Sequence, residues 1–194
     1  MLRGDGDVES IAGSYLDATS SSATRRYIPQ SRVGGDATNR WGTYQAEINQ
    51  VELLGVDDTQ PSFFKTGDLL RVRSHYRTHT RIDTPTFGLA FHRSDGVHVN
   101  GPNSIREGYE IPYIDGTGYV DYLIEHLPLN QGRYDLTVAI YDRDSTMPHD
   151  HHHRLYPLEV HSPTVWHEDG VVHIPAQWQH CSQGGERTAV ADGV

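Results

Sequence analysis

The chain lacks the sequence features of several large classes of protein. Among its 194 residues Cys181 is the single cysteine, so no internal disulfide forms, which suits a reducing compartment. No run of about 18 apolar residues and no basic-then-apolar leader occurs, so we expect neither a membrane span nor a secretion signal. No segment reads GxxxxGK[ST], so the chain as given is not expected to be an ATPase.

Basic residues are also scarce. The chain has 16 Lys and Arg against 26 Asp and Glu, a formal net charge of -10. Nucleic acids and anionic membranes are bound through basic patches that replace counterions, so neither is an expected partner. An uncharged or mixed-charge ligand is easier to accommodate. A hydrophobic content of 36% with 11 Tyr is enough for a compact core.

The N-terminal 39 residues differ in pattern from the rest of the chain. Apolar residues recur at helical spacing over residues 7–17, and Asp7 is placed to cap the start, which predicts a short amphipathic helix. From Thr19 to Asn39 the chain is rich in Ser, Thr, Gly and Arg without periodicity, which predicts a flexible linker. We also expect a disordered tail over residues 179–194.

From Gln45 onward apolar and polar residues alternate, and Gly, Pro, Asn and Asp separate the alternating runs, which is typical of an all-β domain. The predicted strands are 46–54, 68–79, 85–92, 97–100, 118–124, 133–141, 156–161 and 171–174. Short strands without intervening helices predict an antiparallel β-sandwich of immunoglobulin-like or jelly-roll type over residues 40–178.

Five segments in order resemble the C-terminal carbohydrate-binding domain of ATP-binding subunits from bacterial ABC exporters of O-antigen and related polysaccharides. They are Arg40-Trp41-Gly42-Thr43, Ala46-Glu47-Ile48, FGLAFHRSDGVHVNGPN at residues 87–103, LNQGRYDLTVAIY at 129–141, and YPLEV at 156–160. The text GDVESIAGSYL near the start resembles the end of the ATPase domain of the same subunits, so ATP hydrolysis would belong to a preceding part.

The resemblance implies a non-catalytic module that binds the O-antigen polysaccharide for export. Its implied partners are the transmembrane permease subunits and the ATPase domain, at the cytoplasmic face of the inner membrane. It also implies a homodimer in which a late strand is exchanged, and the apolar residues after Pro163 suit this: Val165, Trp166, Val171, Val172, Ile174 and Trp178. Two alternatives remain: a dimerisation domain without glycan affinity, and an edge strand within one chain.

Side-chain alternation places the candidate site on one face of two central strands. Leu136, Val138 and Ile140 take the inward positions, so Tyr141 faces outward. Antiparallel pairing of strands 85–92 and 133–141 brings His92 near Arg133 and Asp135, with small residues forming a shallow trough between. The candidate carbohydrate-binding residues are His92, His98, Asn100, Arg133, Asp135, Thr137 and Tyr141. Alternatively, the small residues let another protomer or the N-terminal helix pack there.

The run His149-Asp150-His151-His152-His153 carries the densest group of potential metal ligands. We expect a solvated loop here, with a metal site or a ligand contact as alternatives, and we assign no metal or cofactor. No paired carboxylates stand in a distinctive motif and no GxSxG occurs, so we do not expect an enzyme. The sequence does not name the sugar.

Overall fold

The computed structural model describes residues 39–164 and 169–180. The predicted helix at residues 7–17, nearly all of the predicted linker and most of the predicted tail lie outside these ranges. In the part of the chain that is described, no helix is long and apolar enough to cross a membrane. A single 3-10 turn spans Val56–Asp58.

The described residues form eleven strands. They are β1 (Arg40–Trp41), β2 (Ala46–Leu54), β3 (Phe64–Lys65), β4 (Leu70–Thr78), β5 (Ile82–Asp83), β6 (Thr86–Arg93), β7 (His98–Asn100), β8 (Tyr113–Ile114), β9 (Thr117–Ile124), β10 (Gly132–Tyr141) and β11 (Pro148–His161).

Two sheets pack against each other, and a small third sheet joins β5 to β8. The larger sheet has the order β1-β11-β10-β6-β7, with β3 pairing parallel to β11. The smaller sheet has the order β2-β4-β9. All other strand pairs are antiparallel, so the predicted all-β sandwich is confirmed.

The core lies between the two sheets and is filled by the inward residues of both. Strand β10 supplies Tyr134, Leu136, Val138 and Ile140, as predicted from their alternation, and all four are buried. The other side of the core is formed by residues such as Ile48, Leu70 and Val72. Alternate side chains of β2 and β4 therefore face water, where Arg73 pairs with Asp121 of β9 at 2.8 Å, as expected for charged rows on neighbouring strands.

Two predictions around the C-terminal strands are wrong. The predicted loop at residues 149–153 is the first half of β11, which runs for 14 residues instead of beginning at Tyr156. Its backbone pairs with both β1 and β10, and its polar side chains find buried partners, so the segment does not need water around it. At the predicted strand 171–174 the described structure has only an isolated bridge between Val172 and Leu129.

A buried carboxylate near the start of β11 joins this strand to β1 and β2. Asp150 is fully buried and accepts hydrogen bonds from Arg40 Nε at 2.9 Å and Nη2 at 2.8 Å, and from the backbone N–H of Ile48 at 2.7 Å. His152 Nε2 lies 3.2 Å from the same carboxylate. Burial alone would raise the pKa of Asp150, but His152 and Arg40 outweigh it and hold the pKa below its usual range.

The turn after β1 depends on a glycine that lets two backbone segments touch. A Cβ at Gly42 would lie 2.3 Å from the carbonyl oxygen of His149, far inside van der Waals contact. Beyond it, the N–H of Tyr44 donates to that same oxygen at 2.7 Å. Gly42 and the Asp150 carboxylate therefore fix β1 against β11, with Trp41 opposite His151.

We expect Asp150→Asn to lower the free energy of unfolding by about 3 kcal/mol, because it removes the buried counter-charge of the Arg40 guanidinium and leaves it only the more exposed Glu47 at 3.4 Å. Urea unfolding measured by tryptophan fluorescence tests this. Asp121→Asn is the control, since the Arg73–Asp121 pair lies on the solvent side and its loss should cost less than about 1 kcal/mol. Equal losses in the two variants would contradict the role given to Asp150.

Candidate functional site

The outer face of the larger sheet carries polar side chains over a floor of small residues. Strands β10 and β6 pair in the predicted register, with Asp135 opposite His92 and Tyr141 opposite Thr86. Between these ends Thr137 pairs with Ala90 and Ala139 with Gly88, again as predicted. The predicted antiparallel pairing of the two strands is confirmed.

Strand β11 adds imidazoles to this face that the sequence prediction placed in a loop. Four rings follow one another across the sheet, and we call them the imidazole row: His151 and His153 of β11, His92 of β6 and His98 of β7. Successive ring centroids are 6.0 Å, 5.7 Å and 4.9 Å apart. Because β10 lies between β11 and β6, the rings of His153 and His92 meet above β10.

Two aromatic residues hold the β11 end of the row. Trp41 stacks on His151 with ring centroids 4.1 Å apart and an angle of 19° between the planes. Tyr141 contacts His151 edge-on, and its hydroxyl lies 2.7 Å from His151 Nδ1. The two contacts restrict the His151 ring, and they depend on β1 and β10 being on either side of β11.

The predicted open trough is not present, because side chains from β11 lie over it. Thr137 and Ala139 are 5% and 2% exposed. A register shift in β11 opposite Leu136 and Val138 places Arg154 at a left-handed φ of 52°. Such irregularities redirect side chains, and this one turns Arg154 back toward β10. Thr137 accepts the Arg154 backbone N–H at 2.9 Å, so it supports the surface from beneath.

Arg154 is also the ion-pair partner of Asp135. Its Nη2 donates to Asp135 Oδ2 at 2.7 Å and to the carbonyl of Arg93 at 3.3 Å. Arg133, which was expected near His92 together with Asp135, is exposed and lies opposite Glu159 of β11. Side chains two residues apart on a strand share a face but do not point at one another, whereas Arg154 crosses from the neighbouring strand.

Two rings of the imidazole row, those of His151 and His92, are uncharged at neutral pH. Burial, together with the nearby His153, lowers the pKa of His151 to about 4. Burial and the neighbouring His98 also lower the pKa of His92. A neutral imidazole has one N–H donor and one acceptor nitrogen. His151 Nδ1 already contacts the Tyr141 hydroxyl and His92 Nδ1 is buried, so Nε2 is the nitrogen of these two rings that is left for a ligand.

The structure brings together four of the seven predicted site residues at the surface: His92, His98, Asp135 and Tyr141. Thr137 lies beneath them, and Arg133 lies toward the Glu159 end. Asn100 is exposed, but its Oδ1 accepts a hydrogen bond from the N–H of Gly101, so this side chain stabilises the turn that follows β7.

Four residues of this surface were not among the predicted site residues: Trp41, Arg154, and His151 and His153, for which a ligand contact was only an alternative. The inward positions Tyr156, Leu158 and Val160 have even numbers, and extending that alternation backwards puts His151 and His153 on the outer face. This alternation was not recognised because the inward residues in this part of β11 are Asp150 and His152, and such side chains are usually solvated. Within residues 39–164 and 169–180, no three His, Cys, Asp or Glu side chains are arranged to hold a metal ion.

We expect stability to fall as the pH drops from about 6.5 toward 4, because the unfolded chain protonates histidines near their ordinary pKa while folded His151 and His92 resist protonation. Melting temperatures between pH 7.5 and 4.5 test this. His151→Gln removes one such group, so its melting temperature should fall less over this range. A profile as steep as that of the parent chain would contradict the shift at His151.

Comparison with known proteins gives the family. The family model of the Wzt C-terminal domain matches residues 37–174. The crystal structure of the C-terminal domain of Wzt superposes with a TM-score of 0.67 and 19% sequence identity, covering 78% of this chain and 93% of that chain. No curated protein gives a match.

The match spans β1, which carries Trp41, and the whole of β11, so it includes every strand of the candidate surface. The structural similarity independently supports the sandwich. The chain therefore belongs to the Wzt C-terminal domain family, as the resemblance to O-antigen ABC exporter subunits predicted.

Proposed function

We propose that the outer face of the larger sheet binds the O-antigen polysaccharide and presents it for export, without catalysing a reaction. The observation that carries this proposal is the continuous surface of Trp41, Tyr141, the imidazole row and the Arg154–Asp135 pair. Surfaces that combine aromatic rings with a few fixed polar groups suit ligands that are polar at their edges and apolar on their faces, as sugars are.

The chemistry of the surface matches hydroxyl groups. A sugar hydroxyl both donates and accepts a hydrogen bond, so it can pair with a ring nitrogen of the row that no neighbour contacts; His151 Nδ1 is already taken by Tyr141. The Arg154 guanidinium and the Asp135 carboxylate add a fixed donor group and a fixed acceptor group side by side. The side chains are braced by neighbours before any ligand arrives, which reduces the entropy lost on binding.

Membership of the family supports an exporter as the setting of this activity. We propose that the domain works with transmembrane permease subunits and with the ATPase domain of its own subunit. The glycan would then be bound at the cytoplasmic face of the inner membrane, where the ATPase domains of an ABC exporter act. ATP hydrolysis belongs to that other domain in this proposal.

We also propose a homodimer, because the C-terminal segment leaves large apolar side chains in water. Val172, Ile174 and Trp178 are 45%, 74% and 93% exposed. The segment is attached to the sandwich at Val171–His173 through backbone hydrogen bonds to Asn130 and Pro128. Residues 174–180 beyond that point are exposed, so a second copy can cover their apolar side chains by exchange.

Tyr141→Ala should weaken binding of the O-antigen polysaccharide by about 1 to 3 kcal/mol, the scale expected when a central aromatic residue of an interface is removed. The loss includes the hydrogen bond that restricts His151. Isothermal titration calorimetry with polysaccharide from the source organism measures it.

Arg77→Ala is the matched control, since Arg77 is exposed on the opposite sheet and its loss should leave binding unchanged. If Arg77→Ala abolished binding while Tyr141→Ala did not, the site would lie on the other face. If no relevant polysaccharide bound the parent chain, the dimerisation alternative would replace glycan binding.

For the dimer, we expect the parent chain to be a dimer by light scattering and the double variant Ile174→Asp, Trp178→Asp to be a monomer. The variant keeps the Val172 bridge to Leu129, so its folding should be retained. Circular dichroism confirms the fold in parallel. A parent chain that is monomeric at all concentrations tested would refute the exchange.

A further inference from the structure

We infer that the sandwich has a binding site between its two sheets for a small molecule with an apolar body and a positively charged head group. Leu89 of β6 and Val138 of β10 line this site from the core side, whereas the imidazole row lies on the outer face of the same sheet. The site is therefore separate from the surface proposed for the polysaccharide, and the inference does not depend on glycan binding.

A cavity of about 230 Å³ lies between the sheets, beside β9, which is the edge strand of the smaller sheet. Both sheets supply its apolar walls. The wall residues are Val72, Val120 and Tyr122 of the smaller sheet and Phe87, Leu89 and Val138 of the larger sheet. Apolar cavities of about 150 Å³ take up benzene, so this volume suits a body of one ring or a short branched chain.

The loop over residues 102–109 covers the cavity but is bonded to only one of the two sheets. The N–H of Leu89 in β6 donates to the carbonyl of Pro102 at 2.9 Å, and the turn that follows is closed by the N–H of Tyr109 donating to Ser104 at 2.8 Å. Among the hydrogen bonds of the described residues, none joins this loop to β9. The gap between the loop and β9 is therefore the entrance for a ligand.

The charge of the lining residues favours a cation. They include two carboxylates, Glu107 and Asp121, and no Lys, Arg or His. Asp121 is already paired with Arg73 at 2.8 Å, whereas Glu107 has no ion pair within the part of the chain that the structure describes. The exposed Glu107 carboxylate is therefore the group that is left for a positively charged head group, and an anion would be repelled.

Aromatic side chains accompany this carboxylate at the entrance. Tyr122 of β9 and Tyr109 of the loop both line the cavity, and Tyr109 is 66% exposed. Burial raises the pKa of Tyr122, and the negative charge of Glu107 raises it further, so the carboxylate lies near this ring. Aromatic rings attract ammonium groups through their faces, and a nearby carboxylate adds to that attraction. The expected ligand is therefore a small amine with an apolar ring or chain.

The experiment uses probes that share one body and differ in the charge of the head group: 2-phenylethylamine, 2-phenylethanol and phenylacetate. Isothermal titration calorimetry at pH 7 and low salt measures their affinity for the full chain. We expect the amine to bind with a Kd of about 1 mM, the scale for a ligand of so few atoms. The alcohol should bind about fivefold more weakly, because it lacks the charge that Glu107 attracts, and phenylacetate should bind most weakly.

Variants separate the head group from the cavity. Glu107→Gln should remove the preference for the amine over the alcohol and leave the affinity of the alcohol unchanged. Glu110→Gln is the matched control, since Glu110 is exposed, lies outside the cavity lining and pairs with Arg143 at 3.8 Å, so the preference should persist. Val120→Phe places a larger side chain into the cavity from the edge strand and should weaken all the probes, with the fold checked by circular dichroism.

Each of the following results would overturn the inference. Absence of binding by the folded parent chain at probe concentrations up to about 10 mM would show that the cavity takes no such ligand. An amine preference that persists in Glu107→Gln would show that this carboxylate does not hold the head group. Equal affinity of the amine for Val120→Phe and the parent chain would show attraction to the acidic surface instead of entry into the cavity. Because none of these measurements involves polysaccharide, the proposed glycan binding stands or falls separately.

Discussion

The position of the candidate surface depends on one buried carboxylate. Asp150 binds the Arg40 guanidinium through two hydrogen bonds and the Ile48 N–H through a third, so it joins β11 to β1 and to the opposite sheet. A carboxylate at zero exposure is tolerated only when it is paired and hydrogen-bonded. Because these partners have fixed positions, the carboxylate also fixes the register in which Trp41 lies opposite His151.

The two faces of strand β11 have different roles. The inward residues Asp150 and His152 take part in the buried polar network, in which His152 also contacts the Tyr156 hydroxyl. The outward residues His151 and His153 belong to the imidazole row. Since neighbouring residues of a strand point to opposite faces, the interactions that stabilise the strand also hold the outward rings in place.

Small residues of β10 determine the shape of the outer face of the larger sheet. Ala139 and Thr137 leave room above β10, and the rings of β11 together with Arg154 occupy that room. A left-handed backbone conformation at a residue other than glycine carries a cost, so the surrounding structure must maintain it at Arg154. The hydrogen bond from its N–H to Thr137 and the ion pair with Asp135 do so. The result is a filled, hydrogen-bonding surface in place of an open trough.

Local alternation was enough to predict the sandwich and the inward residues of β10, because a slip of one residue would expose the buried face. The position of His92 near Asp135 followed from the antiparallel pairing of the two central strands that such sandwiches have. The resemblance to the exporter family supplied the expected ligand. The sequence did not predict β11 over 149–153, because buried His and Asp residues look solvated until their partners, Arg40 and Tyr156, are known. Arg40 is 110 residues away from Asp150 along the chain. Only the tertiary structure decided that this polar segment is a central strand carrying part of the site, since a buried charge is compensated by contacts that no local pattern contains.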